Sequence, residues 1–95
     1  MARFLITAEH TPEECTVELD SIFAFSHTLL DRMDWGCKDG EHTGWVVVEA
    51  QDEPTARLFL PTNIRAKAHV RRLNKFTQED IKAMHEPMEA EPPSA

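Results

Sequence analysis

Thiol and imidazole side chains are the groups of this chain best suited to chemistry, and four of them form two pairs with the same spacing. Cys15 follows His10 by five positions, and His42 follows Cys37 by five. Two such pairs could together give a zinc site of two cysteines and two histidines. Structural zinc sites usually hold two ligands in a tighter knuckle, however, and Cys15 lies on an apolar helix stripe where free cysteine packs as a small hydrophobe. The sequence therefore favours packing, predicts no bound cofactor, and leaves Cys37 and His42 as weak candidate metal ligands.

The pairing of Cys37 with His42 follows from a predicted hairpin. An Asp-Gly pair at 39–40 is a strong signal for a two-residue type I′ turn, which needs positive φ at both central positions. The sequence then predicts strands over about 34–38 and 41–50. Side chains directly opposed across such a hairpin lie about 4.5–5.5 Å apart at Cβ. In this register Cys37 faces His42, close enough to share a proton or a metal.

Polar residues on three predicted strands form a second candidate site, on the sheet face that the helices leave uncovered. Glu9 or His69 is the candidate catalytic base, because burial can shift its pKa towards the working pH. Arg71 is the candidate residue for holding an anionic group. The other candidate ligand-binding residues are Thr7, His10 and Trp45. The alternative is a plain cross-strand ion pair between Glu9 and Arg71, which needs no function.

Periodicity and capping signals predict the elements that position these residues, and the clearest is a capping box in which Thr11 is the cap, Pro12 takes the first helical position and Glu14 closes the box. They are a strand over 3–9, a helix from 12 to about 33, the hairpin, a helix from 53 that breaks at Pro61, a helical piece over 62–67, a strand over 69–76 and a short helix over 77–85. This β-α-β-β-α-β order is the ferredoxin-like arrangement of an α+β fold. It is a four-stranded antiparallel sheet with strands one and three at the centre and the helices on one face. One domain over 1–86 is predicted, with the acidic, proline-rich residues 87–95 disordered.

Both faces of the central strands carry large apolar side chains. In the third strand Val46 and Val48 lie on one face, and Trp45 and Val47 lie on the other. Two helices can cover only one face of a four-stranded sheet, so a second copy of the chain is expected to cover the other. We predict a homodimer that forms through the helix-free face.

A short βαββαβ chain that begins near residue 3 and has a sheet apolar on both faces resembles the dimeric α+β-barrel group. That group includes muconolactone-isomerase-like proteins and small monooxygenases of the antibiotic-biosynthesis type. The resemblance covers the layout of about residues 3–76. It implies two sheets packed face to face, with a ligand pocket in the barrel or between a sheet and its helices.

The resulting functional prediction is a homodimer that binds a small anionic or apolar ligand, as a cofactor-independent isomerase or a monooxygenase-like protein. Two alternatives stay open at this point. One is a non-catalytic structural or regulatory interaction module, and the other is a metal-binding protein that uses Cys37 and His42. No P-loop, nucleophile elbow or dinucleotide-binding glycine motif occurs, so the sequence carries no specific catalytic signature.

Composition and charge restrict the classes of partner and the cellular compartment that we expect. The formal net charge of −7 argues against a nucleic-acid partner, which would need a basic footprint. No run approaches the roughly 20 apolar residues of a membrane span. Two cysteines, without the features of a secretory leader at the start, predict free thiols and a cytoplasmic location.

Overall fold

The computed structural model describes residues 1–90 and contains one antiparallel sheet of four strands. The strands are β1 (Ala2–Glu9), β2 (Asp34–Trp35), β3 (Thr43–Ala50) and β4 (His69–Leu73). Their spatial order is β2-β3-β1-β4, so the predicted central pair of the first and third strands is confirmed. The small α+β fold with a four-stranded antiparallel sheet is confirmed with it.

The helical segments are shorter and more numerous than the sequence predicts. The α-helices are α1 (Cys15–Phe25), α2 (His27–Arg32), α3 (Glu53–Arg57), α4 (Thr62–Arg65) and α5 (Gln78–Ala90). Short 3-10 turns over 12–14 and 37–39 precede α1 and follow β2. The first predicted helix is divided into α1 and α2, a division that the sequence does not predict, and with α3 and α4 also separate the plain βαββαβ description is too simple.

The predicted continuous helix over 12–33 is wrong at Ser26. This residue is extended, with φ −164° and ψ 114°, and it ends α1 and caps α2. Its hydroxyl accepts the backbone N–H of Leu29 at 3.1 Å. A serine hydroxyl offers the backbone this local bond in place of the helical one, which makes serine as suitable for a cap as for a helix interior. The apolar periodicity continues into α2, where Leu29 and Met33 are buried, and so hides the break.

The predicted two-residue hairpin turn is also wrong. β2 ends at Trp35, and the chain then forms the 3-10 turn over 37–39. Among the described residues positive φ occurs only at Gly40, at 89°. A type I′ turn also needs a positive φ at Asp39. The connection is therefore longer than the two-residue turn that the Asp-Gly signal predicts. The register in which Cys37 would face His42 also places Trp35 opposite Gly44, and that pair is present between β2 and β3.

The second half of the chain follows the sequence more closely. The predicted helix break at Pro61 is confirmed, since α3 ends before it and α4 begins directly after it. β4 ends at Leu73, three residues before its predicted end. α5 continues to Ala90, past the predicted end of the terminal helix. The predicted disordered tail over 87–95 falls in part on residues 91–95, which lie outside the described residues.

The core lies between one face of the sheet and the helices. That face contributes alternate residues of β1, β3 and β4, and each of the helices α1 to α4 contributes one apolar residue. The buried apolar residues with the lowest exposure are Ile6, Ala8, Ile22, Val48, Ala56, Leu60 and Ile64. On the helix-free face Leu5 and Trp45 are half-buried and Val47 is 40 % exposed. The homodimer predicted through this face stays a prediction.

α5 projects away from the sheet. Every residue from Asn74 to His85 is exposed, including the apolar Ile81 and Met84. The longest extent of the molecule is 59 Å and its radius of gyration is 18.7 Å, whereas a compact chain of this length has a radius of gyration of about 12 Å. None of the described helices combines the length and the apolar character needed to cross a bilayer.

Replacing Gly44 with alanine is expected to destabilise the protein by about 1–3 kcal/mol, the usual cost of overpacking. A Cβ at this position would lie 2.6 Å from Cζ3 of the Trp35 ring and 2.8 Å from its Cε3. A rigid indole cannot yield as the tip of a flexible chain does. Urea unfolding of Gly44→Ala, Trp35→Leu and the double variant measures the coupling. Strictly additive losses would show that the ring is not the cause.

Candidate metal centre

The two histidines meet because of the register between the central strands. β1 and β3 pair Glu9 with Thr43, so the next positions beyond the strand ends are His10 and His42. The backbone N–H of His10 donates to the carbonyl of His42 at 3.0 Å. The two imidazole rings lie edge to face with their centroids 5.5 Å apart. The end of the central strand pair thus brings together two residues that are 32 positions apart.

Cys15 reaches the same place through the capping box that begins the first helical segment. The Thr11 hydroxyl accepts the backbone N–H of Glu14, and the Glu14 carboxylate accepts the backbone N–H of Thr11 at 3.0 Å. Pro12 fixes the first position of the turn between them. This cap, which the sequence predicts, reverses the chain so that Cys15 begins α1 beside His10.

Cys37 is placed by the loop between β2 and β3. Gly36 donates its N–H to the carbonyl of Thr43 and accepts the N–H of Glu41, both at 3.0 Å. These bonds draw the 3-10 turn back over the end of the sheet. Cys37 Sγ lies 3.3 Å from Nε2 of His10 as a result. The predicted proximity of Cys37 and His42 is found here, although their segments are a turn and a loop and not paired strands.

The four side chains form one cluster. One ligand atom from each of His10, Cys15, Cys37 and His42 lies within 4.8 Å of all the others. In a tetrahedral zinc site the ligand atoms are about 3.3–3.8 Å apart, as the zinc–sulfur and zinc–nitrogen bond lengths require. The sulfur of Cys37 and Nε2 of His10 already stand at such a separation, and the other atoms need to approach one another by about 1.5 Å at most. His10 is buried, and the other three are half-buried.

One atom of the cluster is buried without a partner. Nδ1 of His42 makes no hydrogen bond with any described residue. Buried polar atoms in folded proteins nearly always have a hydrogen-bond partner or a bound ion, so an exception calls for an explanation. A metal ion among the four side chains supplies one. The thiolate and imidazole donors present are the set that suits zinc.

A buried carboxylate lies beside the cluster and contacts one of its histidines. Glu18 is 3 % exposed and lies 3.2 Å from Nδ1 of His10 and 2.7 Å from Nζ of Lys67. The sequence predicts neither Glu18 nor Lys67 as a site residue. The available signal was spacing, because Glu18 follows Cys15 by one helical turn and therefore shares its face of α1.

The electrostatic surroundings favour a protonated Cys37 in the metal-free protein. Burial raises the pKa of the Cys37 thiol, and a hydrogen bond with Cys15 raises the pKa further. A protonated thiol can donate to Nε2 of His10, in agreement with their 3.3 Å separation. Metal coordination removes such a proton outright.

The second candidate site is assembled only in part, because Thr7 pairs with Trp45 on one side and with His69 on the other. β1 and β4 pair Arg71 with Leu5 and His69 with Thr7, whereas Glu9 pairs with Thr43 on the other side. Glu9 and Arg71 are therefore four residues apart along the sheet, roughly 13 Å. The predicted ion pair between them is wrong for this reason. Glu9, His69 and Arg71 are all exposed, so burial does not act on their side chains.

The candidate residues of this second site also border different cavities. Trp45 borders a cavity of about 290 Å³ together with Leu5 and Val47. Glu9 and His10 border a different one of about 360 Å³, beside Lys67. A cavity of about 400 Å³ on the helix side, lined by Phe25, Leu29, Leu58 and Phe59 among others, contains none of the predicted site residues. The structure thus brings together the four thiol and imidazole residues, whereas in the second group it keeps Glu9 and Arg71 apart.

No protein-family model, no curated protein and no solved structure matches this chain. The resemblance to dimeric α+β barrels therefore stays a prediction from the order of elements.

Proposed function

We propose that this protein binds one zinc ion in a closed centre formed by His10, Cys15, Cys37 and His42. The observation that carries the proposal is the mutual approach of four ligand atoms to within 4.8 Å of one another. Two sulfur and two nitrogen donors form a common structural zinc set. The sequence favoured packing for the cysteines, and it is the added proximity of His10 and Cys15 that changes this preference.

The role proposed for the zinc is structural. Four protein ligands fill a tetrahedral zinc, whereas catalytic zinc sites keep one position open for water or substrate. The ligands come from the end of β1, the start of α1 and the loop between β2 and β3. A single ion would therefore link these three segments to one another at one end of the sheet. Small domains with a limited core commonly depend on such a metal.

Charge balance supports the same assignment. Two thiolates neutralise one Zn²⁺, and the two imidazoles bind as neutral groups. The centre thus gains the ion and loses two thiol protons without a net change in charge, which suits a site as little exposed as this one. Both cysteines are free thiols in the structure. Reduced thiols at a zinc site agree with the cytoplasmic location that the sequence predicts.

Elemental analysis of the untagged protein tests the proposal. Protein saturated with zinc and then desalted is expected to hold one zinc per chain. Cobalt substitution is expected to give the absorption of a tetrahedral, thiolate-bound ion. The double variant Cys15→Ser/Cys37→Ser serves as the control and should retain neither metal. Wild-type protein with no stoichiometric metal after this treatment would exclude the zinc centre.

A homodimer through the helix-free face is a second proposal, independent of the zinc. The strand order β2-β3-β1-β4 is that of a ferredoxin-like sheet, which supports the dimeric-barrel resemblance. Val47 is 40 % exposed there, between half-buried apolar neighbours that a second copy would cover. The small-molecule activity predicted with the dimer has weaker support, because Glu9 and Arg71 lie far apart.

A further inference from the structure

The carboxylate behind the candidate centre has a partner for each of its oxygens. Oε2 of Glu18 lies 3.2 Å from Nδ1 of His10, and Oε1 lies 2.7 Å from Nζ of Lys67. A carboxylate as deeply buried as this one is costly unless it is paired and hydrogen-bonded. Both conditions are met by one basic side chain and one candidate metal ligand. Glu18 is therefore placed to act on the metal centre through His10.

His10 directs its two ring nitrogens towards opposite partners. Nδ1 faces Glu18, and Nε2 faces the sulfur of Cys37 inside the cluster. An ionised carboxylate can only accept hydrogen bonds, so the hydrogen-bond network assigns the proton to Nδ1. A neutral imidazole protonated at Nδ1 keeps its free lone pair on Nε2. The other tautomer would direct a lone pair of Nδ1 at the carboxylate.

We propose that Glu18 is a positioning residue of the zinc centre, holding His10 as the Nδ1–H tautomer with Nε2 as the ligand atom. Lys67 fixes the second oxygen of the carboxylate and so its orientation. This inference rests on the proposed zinc function. Because Lys67 lies between α4 and β4, the same contacts link the metal centre to the other half of the chain.

The substitution Glu18→Gln tests this role at nearly constant size. The amide is a weaker acceptor for the imidazole N–H than the carboxylate, and it lacks the charge that pairs with Lys67. Outer-shell partners of this kind change metal affinity by about tenfold to a hundredfold. A loss of zinc affinity in that range is expected when the protein competes with a chromophoric zinc chelator.

Glu14→Gln is the matched control. The Glu14 carboxylate also approaches Nζ of Lys67, at 4.0 Å, but it is 56 % exposed, and its hydrogen bond is to the backbone of Thr11 and not to His10. Glutamine at this position also preserves the capping box. Zinc affinity within about twofold of wild type is expected, because changes at exposed side chains have small effects.

Imidazole ¹⁵N NMR supplies a readout that a merely structural role would not move. At pH 8 the metal-free wild-type protein is expected to carry the His10 proton on Nδ1, and the zinc-loaded protein is expected to keep it there with Nε2 bound to metal. The metal-free measurement needs no variant and so does not depend on Glu18→Gln folding. Loss of a single tautomer in a folded Glu18→Gln protein would support the proposal.

The outcomes separate this inference from the proposed function. Wild-type protein that takes up no zinc overturns both. Wild-type protein that binds zinc, together with a Glu18→Gln affinity within twofold of it, overturns the positioning role alone. A metal-free His10 with its proton on Nε2 overturns that role as well.

Discussion

Replacing Cys37 with serine is expected to lower the zinc affinity of the protein by roughly a hundredfold or more. Structural zinc sites bind the ion with about 10–16 kcal/mol at neutral pH, so one ligand of four accounts for roughly 3 kcal/mol. A serine hydroxyl is a poor ligand because it does not ionise at this pH. Competition with a chromophoric chelator measures the loss. Zinc-dependent stabilisation in urea should fall in parallel, by about 2.7 kcal/mol for a hundredfold loss at a fixed excess of zinc.

A histidine pair provides the matched control for this prediction. His42→Gln removes a second proposed ligand and is expected to weaken zinc binding to a similar degree. His69→Gln makes the same chemical change at an exposed position of β4 and should leave the affinity unchanged. Equal losses in these two variants would show that binding is non-specific and does not occur at the four-residue cluster.

Leu60→Ala is expected to lower the free energy of unfolding by about 2–5 kcal/mol, the range for deleting a buried leucine side chain. Leu60 is 0 % exposed and lies against the sheet between α3 and α4. In a domain of this size each kcal/mol lowers the Tm by about 4–8 °C. Urea and thermal unfolding measure the effect, with zinc and with a chelator present. The loss should appear in both conditions because the core does not include the metal centre.

The same chemical change two positions earlier gives the control. Leu58 is 57 % exposed, and Leu58→Ala should alter stability by about 0.5 kcal/mol or less. Similar losses at the two positions would contradict the orientation of this segment against the sheet. A larger loss at Leu58 would indicate that this side chain is covered in solution by another surface.

Local signals in the sequence are reliable where a few neighbouring residues decide the outcome. The capping box from Thr11 to Glu14 and the helix break at Pro61 are both confirmed, because each depends on the chemistry of residues within one turn. Ser26 and the Asp-Gly pair at 39–40 are different. Serine suits a helix cap as well as a helix interior, and Asp-Gly suits more than one kind of turn, so tertiary packing decides there.

The proximity of His10 and His42 could have been predicted from the sequence by deriving the register between the first and third strands. The first and third strands were predicted as neighbours, and the register between them follows from aligning their buried residues, such as Ile6 with Val46. That alignment places His10 opposite His42. The Asp-Gly signal indicates only the pair Cys37 and His42, and their own segments are not regular strands.

Glu18 could not be identified as a buried residue from the sequence. Acidic side chains on an amphipathic helix are usually exposed, and burial of this one depends on His10 and Lys67, which come from distant parts of the chain. Arg71 shows the reverse case. It was assigned to a shared site by strand alternation alone, which gives the face of a residue but not its distance along the strand.

The projecting α5 has a practical consequence for counting subunits. A chain with this helix extended presents a larger Stokes radius than a spherical protein of equal mass, since its longest dimension is 59 Å against 29 and 21 Å. A single copy would therefore leave a size-exclusion column early, and a calibration with round standards would overstate its mass. Sedimentation equilibrium weighs particles without regard to their shape, and it is the measurement that separates one elongated chain from a pair.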